Sequence, residues 1–402
     1  MDQDIHKDFS LTALRRHYIH PHALYDAIRS HDSIYFDAAS CCWLVTGHDP
    51  VVAILGDARF SSRLGASASM FPPSISKQML FMDGEEHQRA QQVMLRPLAQ
   101  MVKQMPDAIK GWATASLDAA SRKGEIDIVR DFASPLSLLT IAQVLGIPTG
   151  DTAMLHELER WSDTFGDVTS GYFRGNMQDV RQLEEYFRQL IATKRRAPSE
   201  DLLSAFIQAG DIFTEEDLIA NCMMVFAAGR ITTKKLLGDG VPALAQHWSH
   251  TQADFQENPR ALSTSLREEL LRLITPTRYL IREAVEDVEM SSPAVGNHQI
   301  HQGEKMLLFL EAADYDPAVF AQPMDLDAHR RPNKHIAFGY GNHQCPGATL
   351  ARVEIQIALE TLLASVADLR LKPDQEPQWN PNPNLGGATS WPLALTASSL
   401  TQ

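Results

Sequence analysis

The chain is 402 residues long, 44% hydrophobic and 21% charged, which excludes a collagen-like, low-complexity or largely disordered protein. At this length roughly three quarters of the unfolded surface can be buried, so disulfide staples are not needed. Thirty-six Lys and Arg against fifty Asp and Glu leave a formal charge of −14, which argues against a nucleic-acid partner or an anionic membrane surface.

The first twenty residues are polar and hold no apolar run, so no signal peptide, transit peptide or membrane anchor is expected and the location predicted is cytoplasmic. Residues 34–36 and 43–46 are β-rich runs joined by small residues and predict a hairpin. The Ser- and Pro-rich stretch 61–76 predicts a mobile loop. From Glu85 onward the pattern is mostly helical. Leu138, Ile141, Ala142 and Leu145 form one apolar stripe, and Trp161 and Phe165, then Tyr186 and Leu190, recur at helical spacing. The longest candidate opens at Thr214, an N-cap followed by three acids that suit the positive end of a helix dipole. It runs to about Gln246 and is apolar on several sides, which predicts a central buried helix. The polar step 229–233 and Pro242 are expected to disturb it. A helix over about 262–274, short strands including 305–310, irregular chain to 338 and a last helix bearing Leu350, Val353 and Ile357 complete the pattern. The fold class is mainly α with small β-sheets.

Cys41, Cys42, Cys222 and Cys345 form neither a disulfide framework nor a C-x-x-C metal site, which fits a reducing compartment. The most informative segment is Phe338-Gly339-Tyr340-Gly341-Asn342-His343-Gln344-Cys345-Pro346-Gly347. Its glycines allow positive φ and close approach of backbone to a flat group. Cys345 stands where a helix begins, a place that favours a thiolate, and Pro346 suits a first helical turn. Three readings compete on these residues alone. Cys345 is a buried small residue, a soft-metal ligand, or a nucleophile, although no partner acid for His343 is evident. A dinucleotide fingerprint fails because the third glycine is Gln344.

The ten-residue segment resembles the haem-thiolate signature of the cytochromes P450, Phe-Gly-x-Gly-x-His-x-Cys-x-Gly, at every fixed position. Glu269-Leu270-Leu271-Arg272 is similar to that family's Glu-x-x-Arg motif, whose i,i+3 spacing lets both charges pair on one helix face. Arg330 stands where the family has a third, structural member. Asp57 to Ser62, Asp83 with Glu86 and His87, and residues 330–335 follow the soluble bacterial pattern, so the resemblance spans about residues 15–398.

The resemblance implies one P450 domain over 1–402, with a β-rich part at about 30–60 and a helical, haem-binding part at about 80–398. It implies a triangular helical prism with haem between the long helix and the Cys loop. The cofactor is then haem b (iron protoporphyrin IX) with Cys345 as metal ligand, Phe338, Gly339 and Gly347 in the loop that cradles it, and Arg282, His343, His87 and Gln91 near its propionates. A thiolate ligand donates electron density that favours O–O cleavage. Gly229 and Thr232 match the catalytic segment of the family's long helix, with Ile231 at its acid position. The implied activity is a monooxygenase of secondary metabolism that hydroxylates a small metabolite, either free or tethered to a carrier protein. Its two electrons come from NAD(P)H through a ferredoxin or flavodoxin and a reductase.

Two departures stand out. Ile231 occupies the place of the family's acid and relays no protons, which raises the alternative of peroxide-driven or non-hydroxylating chemistry. Gln91 occupies the place of a propionate-binding Arg and brings no charge. Asp314 and Tyr315 also replace a common Asn-Arg. A more remote alternative is a haem-binding sensor without turnover. By position Ala228, Arg230, Thr277, Arg278 and Leu385 approach the substrate. The two arginines invite a carboxylate-bearing one, because a guanidinium binds a carboxylate bidentately.

Overall fold

The computed structural model describes residues 9–173, 176–292 and 294–398. The first eight residues, part of the stretch read as lacking an anchor, lie outside them. Packing gathers the chain into two units. The first comprises Met1–Arg63, Glu268–Cys345 and Pro381–Gly387, and the second Leu64–Arg267, Pro346–Asn380 and Ala388–Gln402.

The first unit is built on a five-stranded sheet in the order Ile34–Asp37, Cys42–Val45, Lys305–Phe309, Tyr279–Ala284, Phe60–Ser61. The expected hairpin is its edge, pairing Ile34 with Val45 and Asp37 with Cys42. Cys42–Val45 runs parallel to Lys305–Phe309, and all other pairings in this sheet are antiparallel. Ile34, Val45, Met306, Leu308 and Ile336 fill one face, and Leu24, Tyr25, Ile28, Leu44 and Phe309 the other. The strand ends one residue earlier than expected, because Leu310–Asp314 turns into a short helix. All five residues of that helix are buried.

The second unit is helical around Glu215–Ala245, a 31-residue helix about 46 Å long at 1.5 Å per residue. Thr214 caps it through a reciprocal capping box with Asp217. Neither the step at 229–233 nor Pro242 breaks it. Pro242 lies three residues from its end, and the polar side chain of Arg230 finds partners on a neighbouring helix. Helices Ser134–Leu145, Thr152–Thr169 and Met177–Arg196 carry the apolar stripes read from the sequence. The stretch Ile128–Leu145 is long and apolar enough to cross a membrane, and 72% of it is buried within the protein. Residues 61–76, read from the sequence as a mobile loop, form turns of helix at Gly65–Met70 and Pro73–Ser76. The proline at the first helical position of the second piece starts it.

Candidate active site

Within the first unit, the chain before Cys345 is folded back on itself. The Cys345 N–H donates to the Phe338 carbonyl at 2.9 Å, Gly339 N–H to Ile336 at 2.8 Å, and Gln344 N–H to Gly341 at 3.1 Å. Gly339 and Gly341 have φ of 70° and 71°. At Gly341 the requirement is also steric, since a Cβ there would stand 2.5 Å from the Leu55 carbonyl oxygen. The result is a loop that leaves Cys345 exposed, followed after two residues by helix Ala348–Ser365 with Gly347 as its N-cap. His343 is half-buried, with Nε2 3.2 Å from Ser62 Oγ. Arg282 is buried on strand Tyr279–Ala284 and donates from Nη1 to the Ile281 carbonyl at 2.8 Å. An exposed soft sulfur on a glycine loop, with a buried guanidinium and an imidazole in the same unit, is a donor set that suits an iron porphyrin with anionic propionates.

The same unit holds a charge cluster in which Glu269 and Arg272 are fully buried. Glu269 takes a bidentate bond from Arg272 at 2.8 and 2.9 Å. It also takes bonds from Arg330 Nε at 3.1 Å to each oxygen, from Asn333 Nδ2 at 3.0 Å and from Asp327 N–H at 3.1 Å. Arg272 spends its remaining donors on the carbonyls of Asp314, Pro323 and Asp325. Three ionised side chains therefore tie down irregular chain that has no ladder of its own. The Asp314 carboxyl accepts from Ile336 N–H and Thr275 Oγ1, and burial pushes it up to about 6, against opposing pulls from His335 and the Ile336 N–H. Tyr315 donates to the Leu273 carbonyl and stands under the Arg272 guanidinium. Asp314 and Tyr315, the departure noted in the sequence, thus belong to the shell around this cluster.

In the second unit the Thr232 hydroxyl donates to the Ala228 carbonyl at 2.7 Å, one turn back. Ala228 is exposed, Thr232 half-buried and Ile231 buried. A Cβ on Gly229 would stand 2.6 Å from Ile141 Cδ1, so glycine lets helix Ser134–Leu145 press directly on this turn. His87 is buried and Gln91 half-buried, one turn apart on helix Gly84–Val102.

The expected substrate arginines need correction. Arg230 has no exposed surface. It donates to Ser162 Oγ at 2.9 Å, to the Glu159 carbonyl at 3.1 Å and to the Asp163 carboxylate. Arg278 is buried with Nε 3.2 Å from Glu311 Oε2, which also accepts from Tyr25. Each guanidinium already answers an acid of the chain, so the carboxylate-bearing substrate loses its motive. Thr277 and Leu385 are half-buried in the first unit. The backbone bond from Arg278 N–H to the Asn384 carbonyl (3.3 Å), with that from Tyr279 N–H to Asn384 Oδ1 (3.0 Å), holds their two segments together. Sequence reasoning passed over Glu354. This carboxyl is buried on helix Ala348–Ser365, is pushed up to about 8 by burial, and has Thr140 as its polar neighbour. A lone acid among Ile355, Ala358 and Leu359 was the available signal.

The Cytochrome P450 family model matches residues 151–390. The biotin biosynthesis cytochrome P450 of Bacillus subtilis (strain 168) is 32% identical over 383 residues, 90% of this chain and 93% of that protein. The polyketide biosynthesis cytochrome P450 PksS of the same organism is 30% identical over 90% of this chain and 91% of its own. Among solved structures, P450BioI in complex with hexadec-9Z-enoic acid ligated acyl carrier protein superposes with a TM-score of 0.85 at 30% identity. That superposition covers 94% of this chain and all of the other.

Proposed function

The chain belongs to the cytochrome P450 family and is a P450 oxidoreductase of the monooxygenase kind; from that premise we propose that it hydroxylates a small specialised metabolite in the cytoplasm. The family's cofactor is haem, which when bound supplies the oxygen-activating redox chemistry. Cys345 is its metal ligand. Phe338, Gly339 and Gly347 shape the ligand loop, and Arg282 and His343 answer propionate charge in the first unit. His87 and Gln91 are the second unit's propionate donors, and with Gln91 neutral the charge falls to the other groups. Two electrons come from NAD(P)H through a ferredoxin or flavodoxin with its reductase.

At the turn bearing Thr232, the hydroxyl that donates to Ala228 is the group able to accept and pass a proton. Gly229 keeps that turn close to Ile141. The observation that carries the reading is the closed loop that presents Cys345 on two left-handed glycines. The biotin- and polyketide-biosynthesis relatives support a biosynthetic substrate, and the complex of P450BioI with a loaded carrier protein supports a carrier-tethered one. Purified protein with a ferredoxin, reductase and NADPH is expected to oxidise a carrier-bound or free acyl or polyketide substrate. Tight substrate-dependent NADPH consumption with product supports the reading, and none across such a panel contradicts it.

One observation favours a second reading. Ile231 is apolar and buried where a proton-relaying acid would stand. Peroxide-driven or non-hydroxylating turnover follows if hydrogen peroxide alone outperforms the electron-transfer system.

A further inference from the structure

Arg230 is a charged residue of the long helix whose complete burial needs explaining. Its whole side chain is inaccessible, in a position where an apolar residue would avoid desolvating a charge. Its partners all come from helix Thr152–Thr169. They are Ser162 Oγ, the Glu159 carbonyl, the Asp163 carboxylate, and Glu159 Oε1 at 3.5 Å from Nη1. Lys234, one turn on, donates to both oxygens of Asp163 at 3.0 and 3.1 Å. Ser134 donates in turn to Glu159, which brings helix Ser134–Leu145 into the same set. Two cations and two carboxylates balance. At about 100° per residue, Arg230 and Lys234 lie roughly 40° apart on one helix face, while Thr232 lies roughly 200° from Arg230. The cluster therefore grips the helix from behind the threonine, while Ile141 presses on it at Gly229, roughly 60° from the threonine.

A buried ion pair gains little stability over apolar packing, and its best-attested use is to fix one register out of several. Apolar contacts alone along this helix would tolerate small slides and rotations that Arg230, with its fixed fork of donors, does not. We propose that Arg230 and Lys234, with Asp163 and Glu159, are positioning residues that set the rotation and register of the Thr232 turn against helix Thr152–Thr169. Desolvation opposes ionisation of Asp163, yet Arg230 and Lys234 hold its carboxyl below the ordinary value. The pair thus stays charged at neutral pH, as a register lock requires.

The functional half of this inference rests on the haem-thiolate reading, and the structural half does not. The test compares the wild-type holoenzyme with Arg230→Met, which keeps apolar bulk and removes the fork, and Arg230→Lys, which keeps the charge. Hydrogen exchange should quicken about tenfold in Arg230→Met at residues 152–169 and 226–234 together, with helix Ala348–Ser365 unchanged. Imidazole, used as an iron-binding probe and followed by the Soret shift, should bind several-fold faster or slower than in wild type, and Arg230→Lys should restore most of both effects. If Arg230→Met does not fold, Lys234→Met carries the same measurements with a smaller effect. Exchange that is unchanged, or that rises equally over every helix, overturns the proposal. So does an Arg230→Lys variant that behaves like Arg230→Met. Absence of haem-thiolate absorption in all variants would sink the haem reading and leave the exchange result to decide the register claim.

Discussion

Two of the charge clusters among the described residues are buried in different ways. Around Glu269, in the first unit, the acid and Arg272 are fully inaccessible, the Arg330 side chain is only 8% exposed, and both carboxylate oxygens are held by side-chain and backbone donors. Around Arg230, in the second unit, the cation is inaccessible but its acids are not, with the Asp163 side chain 39% exposed. The first arrangement is a knot that irregular chain cannot hold its shape without. The second leaves one carboxylate near water, where the solvent can screen a missing partner. Burial of the acid, more than the number of ion pairs, decides how much each cluster contributes to stability.

Breaking the first cluster is the largest effect expected. Glu269→Ala strands Arg272 and Arg330, and should cost about 3–5 kcal/mol, enough to prevent recovery of folded, haem-loaded protein. Thermal unfolding and haem content after purification check this, and a variant that folds normally would undo the contrast. Asp163→Asn leaves Arg230 its contacts to Glu159 and Ser162 and should cost only about 1–2 kcal/mol by urea unfolding. A loss equal to that of Glu269→Ala would erase the distinction.

Glu354 sharpens the comparison, because it is a buried acid with no ion-pair partner among the described residues. Its carboxyl, at about 8 instead of 4.5, keeps a proton that the unfolded chain has already released. Stability from this group is full below about pH 4.5 and is lost as pH rises through about 8. Glu354→Gln should flatten that fall, with a gain on the order of a few kcal/mol at pH 8 and little at pH 4.5. Parallel melting curves for variant and wild type across that range would contradict it.

What the sequence made legible follows the same division. Periodicity placed helices Ser134–Leu145, Thr152–Thr169 and Glu215–Ala245 because each buries an apolar stripe. The Glu269 cluster was legible because two members lie one turn apart and the third belongs to a recurring segment. The Arg230 cluster was not. Its acids lie 67 and 71 residues away on another helix, and nothing in local spacing links them. Arg230 and Arg278 consequently looked available to a substrate, although folding had already supplied each with an acid. Residues 61–76 misled for another reason, since a composition typical of loops does not forbid short turns of helix started by a proline.

The central claim is that the sulfur of Cys345 ligates haem iron as a thiolate. The most direct measurement is the absorption spectrum of the dithionite-reduced, haem-loaded protein under carbon monoxide, beside a Cys345→Ser control. The account predicts the long-wavelength Soret band characteristic of a thiolate ligand in the wild type and its loss in the control. A fully loaded wild type without that band, or a control that retains it, would contradict the account.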